Sequence, residues 1–351
     1  MLKYFIHKIG YSILVLVLAV GTITTIIFLA PVDPARLTFG QRADNAMIEA
    51  KRKELGLDLP LSGQLLKYLR DISPINYISS DAGIVKRYAI LGSLQIGDKL
   101  LLLKKPYLRE SFQSGRPVSE ILADAVPKTI ILAFSAMAIA MFLGILLGII
   151  SAIKQHSAVD RIVTAVSVLG YSIPSYVMAV FLALIFGYLL KAQTGLNLQG
   201  SLFEMDDLGN PIVVWRNLLL PSIALGIRPV GVIAQITRSS MLDVLKMDFM
   251  RTAKSKGLSL RVQLVRHALK NALNPVLTAV SSWLAALLAG AFFVENVFSF
   301  KGLGEVTVTA LLNFDLPVVI GAVLFIATFF VLINLISDFL YTMLDPRISF
   351  D

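Results

Sequence analysis

The chain has 351 residues, 56% hydrophobic and 16% charged, with mean hydropathy +0.76 and formal net charge +9. A soluble domain carries about 25% charged residues, so this deficit over so long a chain requires a non-aqueous solvent and excludes an ordinary soluble enzyme. Cysteine is absent and the three histidines, His7, His156 and His267, lie far apart, which excludes disulfide scaffolds, thiolate chemistry and a histidine metal cluster.

A membrane span needs about 20 mostly apolar residues, and the first charge-free interval that qualifies is Ile9–Val32. Lys3 and Lys8 in front of it resemble the positive region of a signal peptide. The interval is longer than the usual apolar region of about 7–15 residues and lacks an A-x-A-like end, so it reads as a retained helix. Asp33–Lys128 follows, a long loop in which Asn45–Leu55 reads as a polar helix stopped by Gly56 and Gly63–Ile72 as an amphipathic one. From Ser73 to Pro106 the pattern is irregular, with Leu100–Leu103 apolar but too short to span. Thr129–Ile153 is the second span. Ile162–Leu190, the third, is longer than needed and contains Gly170-Tyr171-Ser172-Ile173-Pro174-Ser175; its first part reads as an interfacial helix, with the membrane helix beginning near Pro174. Asn217–Thr237 is interrupted only by Arg228, and Asn271–Val294 and Leu316–Ser337 complete a count of six. Gly144, Gly148 and Gly187 suit close helix packing, and Trp215 and Tyr341 an interfacial aromatic belt.

Lysine and arginine excess in short loops marks the cytoplasmic side. Lys154 and Arg161 against Asp160, and eight basic residues from Arg238 to Lys270 against Asp243 and Asp248, place the second-to-third and fourth-to-fifth loops inside. The loops carrying Glu204, Asp206 and Asp207, and Glu295, Glu305 and Asp315, then face outside, and both termini inside. Asp33–Lys128, with 15 basic and 11 acidic residues, must lie outside; loops beyond about 60 residues translocate largely regardless of charge.

No G-x-x-x-x-G-K-[ST], HExxH or GxSxG occurs, so the chain has no nucleotide cradle of the Walker type and neither of those two hydrolytic motifs. Arg228 is the oddest residue: near mid-span it costs about 2.5–3.5 kcal/mol on insertion scales and should face a pathway or a subunit contact. The loop Arg238–Asn274 reads as two short helices hinged at Gly257, the first on Met241, Leu242, Val244, Leu245, Phe249 and Met250, the second beginning with Leu258, Val262, Leu264 and Val265. A basic segment resting on anionic lipid is one reading. A docking element is the other, Ala253 and Gly257 being small enough for a partner surface to approach.

The run DFMRTAKSKGLSLRVQLVRHALKNALNPV resembles the cytoplasmic EAA loop of permease subunits of binding-protein-dependent ABC importers, in the dipeptide/oligopeptide (peptide/nickel) branch; Arg251 stands where the general motif has an acidic residue, as is usual in that branch. Other motifs follow in order: Pro31–Arg36 (PVDPAR), Leu55–Leu61 (LGLDLPL), Ser114–Val118 (SGRPV), Ser172–Ser175 (SIPS), Val294–Gly304 (VENVFSFKGLG), Asp315–Val319 (DLPVV) and Leu344–Arg347 (LDPR). Residues 73–105 match nothing expected and look like an insertion. The resemblance implies an all-α polytopic membrane protein of six transmembrane helices: helix 1–32, extracytoplasmic loop 33–128, a five-helix core 129–344 with coupling loop 238–274, and a cytoplasmic tail 345–351. It implies an inner-membrane subunit of an ATP-driven importer, working with a second homologous permease, two cytoplasmic ATPases that bind ATP and Mg, an extracytoplasmic solute-binding protein and membrane lipid, with no cofactor, metal or nucleic acid of its own. Asp248, Phe249, Arg251, Thr252, Ala253, Lys254, Lys256 and Gly257 would make the ATPase contact. The solute would be a peptide, or a nickel chelate, glutathione, opine or oligosaccharide of the same branch. A gradient-driven secondary transporter is the rival class, opposed by the scarcity of intramembrane carboxylates; an intramembrane hydrolase lacks a base.

Overall fold

The computed structural model describes residues 10–11, 14–23, 25, 44–55, 58–79, 88–96 and 99–344. The remainder of the first span, Gly56 and the tail 345–351 lie outside the described residues. The chain divides into two compact units, one of Met1–Ala125 with Val306–Thr328, the other of Val126–Glu305 with Phe329–Phe350.

In the first unit, α1 (Leu14–Ile23) is apolar, α2 is Asn45–Leu55 as read from the sequence, and α3 is Leu61–Ile72. Val20 of α1, Tyr68 of α3 and Ile320 form a buried cluster against Ile23, Leu65, Leu69 and Leu324. The segment expected to be irregular is folded: β1 (Ile75–Ser79), β2 (Ile90–Ile96) and β3 (Lys99–Lys104) make an antiparallel sheet in the order β1-β3-β2. The fold is therefore not purely helical. Alternate residues of this sheet face opposite ways, and Asn76, Leu102 and Lys104 are buried. A buried lysine needs partners. Lys104 Nζ donates to the Asp71 carbonyl and lies 4.1 Å from the Tyr88 ring centroid. The Asp71 carboxylate in turn accepts from Tyr88 Oη at 2.7 Å and Arg109 Nε at 2.9 Å. Burial pushes the Lys104 ammonium below its ordinary pKa and the Tyr68 phenol above its own.

Residues 73–105 thus supply buried side chains to this unit. Deleting Ser73–Lys105, the segment that reads as an insertion in the sequence, removes Tyr88 and Lys104 from Asp71 and strips the unit of Leu102. We expect limited proteolysis of the purified deletion variant to cut within residues 44–117 at protease levels that spare the intact chain. Equal resistance would restore the segment to a dispensable appendage.

The rest of the chain is built on long apolar helices, of which Leu316–Thr328 belongs to the first unit. Among the described residues four helices are long and apolar enough to cross a membrane: Val118–Ile153 (α4), Arg216–Leu245, Leu260–Leu288 and Leu316–Ile336. A fifth arises if α5 (Ala158–Ser172) and the helix Ser175–Leu189 are one span, bent by 102° between them. The bend falls where the sequence placed it, since Pro174 has no N–H to continue the ladder. The second half is α6 (Ser175–Leu182) followed by a π-helical stretch, Ala183–Leu189. α7 (Lys191–Thr194) ends on Gly195, and a small hairpin, β4 (Phe203–Met205) with β5 (Pro211–Val213), leads into α8 (Arg216–Leu245).

Small residues let α4 and α8 approach closely, as expected of helices packing in lipid. A Cβ on Gly144 would meet Ile233 at 2.8 Å and one on Gly148 would meet Thr237 at 2.5 Å. After α8 come α9 (Asp248–Ser255), α10 (Leu260–Val262), a second π-helical stretch (Gln263–Leu269) and α11 (Lys270–Phe298), the last three running on without a break. α12 (Leu303–Leu312) and α13 (Leu316–Leu344) close the chain. The core gathers Leu132, Ala136, Ala140, Leu225, Ile233, Leu288 and Phe298.

Candidate functional site

The sequence read two short helices hinged at Gly257 in the loop 238–274. The structure instead contains one. Met241 to Leu245 prolong α8, the residues after Ser259 belong to the helix that runs to Phe298, and only α9 stands free between them. Asp248 in its first turn suits the positive end of the helix dipole. Its exit is a Schellman motif: Leu258 N donates to Ala253 O at 3.3 Å, Gly257 N to Lys254 O at 3.0 Å, and Gly257 is left-handed at φ 71°.

One face of α9 is fastened. Met250 joins a buried cluster with Ala152, Met241, Val244, Ala268 and Ala272, and Ala253, one turn on, is also buried. Ala253 therefore faces its own chain, which corrects the expectation that it offers a small surface for a partner. The exposed face carries Asp248, Phe249, Arg251, Thr252, Lys254 and Lys256. Phe249 is 39% exposed among these charges. The Arg251–Asp248 pair at 3.4 Å is fully in solvent and contributes little.

The base of the loop is pinned by a residue that sequence reasoning counted only as a charge. Asp160, buried near the start of α5, receives Arg238 of α8 in a fork, Nε at 2.7 Å and Nη2 at 2.8 Å. It also accepts from Ser151 Oγ of α4 and from His156 N at 2.9 Å. Three helices are thereby tied to one carboxylate. The signal was present as Ser157-Ala-Val-Asp160, a capping-box spacing; the Ser157 hydroxyl accepts from Asp160 N at 3.3 Å.

Arg228 of α8 lies beside the bend between α5 and α6. Its Nε donates to the Tyr171 carbonyl at 3.4 Å, and its guanidinium carbon is 5.6 Å from the Tyr171 ring centroid and 5.8 Å from that of Trp283. Those rings meet edge to face at 6.5 Å. Among the described residues no carboxylate pairs with it.

A third place, unmarked by sequence reasoning except as a motif, is the turn from α11 to α12. Glu295 is wholly buried and accepts from Thr129 Oγ1 at 2.6 Å, Gly304 N at 2.6 Å and Glu305 N at 3.3 Å. It caps α12 from the preceding helix. Ser299 and Lys301 are left-handed, at φ 49° and 54°, in the turn it closes.

Among the described residues no group of three metal-ligating side chains assembles. What the chain arranges is long apolar helices tied firmly at one end and interrupted at another, with one short charged helix held between them, the architecture of a polytopic membrane transport subunit. Residues 144–350 match the family described as binding-protein-dependent transport system inner membrane component and residues 1–133 its N-terminal counterpart, so the chain belongs to this family of transporter permeases and is not itself an enzyme. It is 33% identical over 350 residues to the glutathione transport system permease protein of Pectobacterium atrosepticum, covering 100% of both chains. It is 34% identical over 339 residues to the di/tripeptide transport system permease protein of Pseudomonas aeruginosa, covering 92% of this chain and 91% of that one. In fold it resembles the MetNI methionine ABC transporter in an inward-facing conformation, with TM-score 0.54, 15% identity, and 65% of this chain and 97% of that chain covered. The resemblance read from the sequence, to permeases of binding-protein-dependent ABC importers, is met.

Proposed function

We propose that the chain is one of two homologous membrane subunits that form the translocation path for peptides or similar short solutes, loaded by an extracytoplasmic binding protein and driven by two cytoplasmic ATPases. The ATPases hold ATP and Mg; this chain contributes no cofactor. Six spans place both termini and the loop 238–274 in the cytoplasm and the loop 33–128 outside. The reading is carried by α9: a helix of eight residues with its inner face buried, its exit fixed and an exposed phenylalanine among charges has the form of a plug for a partner's cleft. Asp248, Phe249, Arg251, Thr252, Lys254 and Lys256 make the contact, while Ala253 and Gly257 hold the helix in place. Arg228 lines the path. The peptide and glutathione permeases among the relatives support a short peptide as solute.

Inverted vesicles are not needed to test this. In right-side-out vesicles holding the whole transporter and loaded with ATP, dipeptide uptake should persist when a proton ionophore collapses the gradient and stop when ATP is withheld. Cysteines placed at positions 60 and 205 should label from outside and one at 256 only from inside. Uptake that follows the proton gradient would overturn the ATP-driven reading, and cytoplasmic labelling at 60 would overturn the orientation.

A further inference from the structure

We propose that Arg228, held against Tyr171 and Trp283 at the break in the third span, is a station on the path that receives a carboxylate of the passing solute. This rests on the reading that Arg228 lines the path, and adds the chemistry of what it meets there.

The argument begins with the broken helix. α5 ends at Ser172, Ile173 N turns back to Leu169 O at 3.2 Å, and Pro174 has no N–H. The Tyr171 carbonyl is thereby left among the unpaired acceptors at a helix C-terminus, where the dipole is negative and a cation is favoured. Arg228 occupies that position. It lies about 18 Å along α8 from the helix start at 1.5 Å per residue, far from either end, so its side chain has little prospect of reaching headgroup phosphate.

The surroundings hold the cation without neutralising it. Two aromatic rings and one long hydrogen bond engage the guanidinium, and among the described residues no other hydrogen bond or carboxylate does. An arginine has five N–H donors in a planar fork that matches a carboxylate, and here most of the fork is unused. Tyr171 is 49% exposed and Arg228 and Trp283 are half-buried, so the cluster is open on one side. Had the chain paired Arg228 with its own carboxylate, the fork would be filled permanently. Aromatic faces instead leave it available for an anion that arrives and departs. A peptide crossing as a zwitterion brings such an anion, a C-terminal carboxylate that must leave water at this depth. Discontinuous helices near mid-membrane recur at binding stations of transporters for the same reason, exposed backbone dipoles in place of water.

The chain has two tryptophans, Trp215 and Trp283, so in the variant Trp215→Phe the emission of Trp283 reports this cluster. The full chain carrying that change, in lipid nanodiscs, is titrated with alanyl-alanine and with alanyl-alanine amide. We expect a saturable emission change with the free acid, at least tenfold weaker affinity for the amide, a similar weakening with Arg228→Lys, which keeps charge but not the fork, and no response with Arg228→Gln. Removing a charge from a span does not endanger insertion, so the glutamine variant should reach wild-type levels. Equal responses to acid and amide would overturn carboxylate recognition while leaving Arg228 on the path. No response to either peptide, with normal dipeptide uptake by Arg228→Gln in the assembled transporter, would overturn both. Loss of the second permease on co-purification of Arg228→Gln would also overturn it, making Arg228 a subunit contact.

Discussion

Gly257→Val is expected to abolish ATP-driven uptake while leaving the chain in the membrane at normal level. The cause is backbone conformation alone. Gly257 sits at φ 71° at the end of α9, and a Cβ built on it would meet nothing within 4 Å. No clash therefore arises; what a side chain disturbs is the left-handed conformation, at about 1–3 kcal/mol for a β-branched residue. That strain is comparable with what holds so short a helix, because the two hydrogen bonds of the Schellman motif contribute only about 0.5–1.5 kcal/mol each. The helix exit then reorients and α9 leaves the position from which it engages the ATPase. A graded series distinguishes this from nonspecific damage. Asparagine tolerates the left-handed region, so Gly257→Asn should retain most uptake, alanine less, and valine none, with membrane level constant across all three. Ala253→Trp should lose uptake by another route, since a bulky side chain on the buried face would lever α9 off the core that holds Met250. Wild-type uptake by Gly257→Val would reduce the loop 238–274 to a basic segment on the lipid surface.

The contrast between Gly257 and Ala253 shows what one sequence can and cannot reveal. A glycine after a periodic helix predicts a left-handed exit from local rules, and the exit is where it was expected. Which face of α9 is buried, and with it Ala253, follows from Met250 packing against Ala152, Met241 and Ala268, residues from three other stretches of chain, and no local pattern contains that information. The same division holds elsewhere. Pro174 inside a long apolar run announced the bend between α5 and α6. The sheet at 75–104 went unread because β3, KLLLLK, is a continuous apolar run rather than an alternating one, and because its pairing with β1, Ile75 opposite Leu103, is non-local. Arg228 could be singled out by its cost in a span. Its actual partners, the end of a broken helix and two rings from α5 and α11, lie 55 and 57 positions away in the chain.

Glu295→Ala should be the most destabilising single change in the second unit. The carboxylate is wholly buried and serves three donors, Thr129 Oγ1, Gly304 N and Glu305 N, while Thr129 Oγ1 itself accepts from Leu303 N at 2.7 Å. One side chain thus joins α4, α11 and the first turn of α12. Truncation to alanine leaves at least two buried donors without an acceptor, each costing about 1–3 kcal/mol, and removes the atoms that fill the space between Gly302 and Gly304. The total is of order 3–6 kcal/mol. The motif VENVFSFKGLG then has a physical reading. A Cβ on Gly302 would approach Glu295 Oε2 to 2.5 Å, and one on Gly304 would overlap the Phe292 backbone, so both glycines are needed for the carboxylate to reach the helix start. Gly304→Ala should therefore reproduce the loss without touching a hydrogen-bonding side chain. Glu295→Gln keeps one acceptor oxygen and should fall between wild type and alanine. At about 1–2 °C per kcal/mol for a chain of 351 residues, the apparent Tm of the purified alanine variant should drop by roughly 5 °C in detergent. An unchanged Tm for Glu295→Ala would mean that the α11–α12 turn is held by its apolar contacts, Phe298 and Phe300, and that the buried carboxylate is incidental to it.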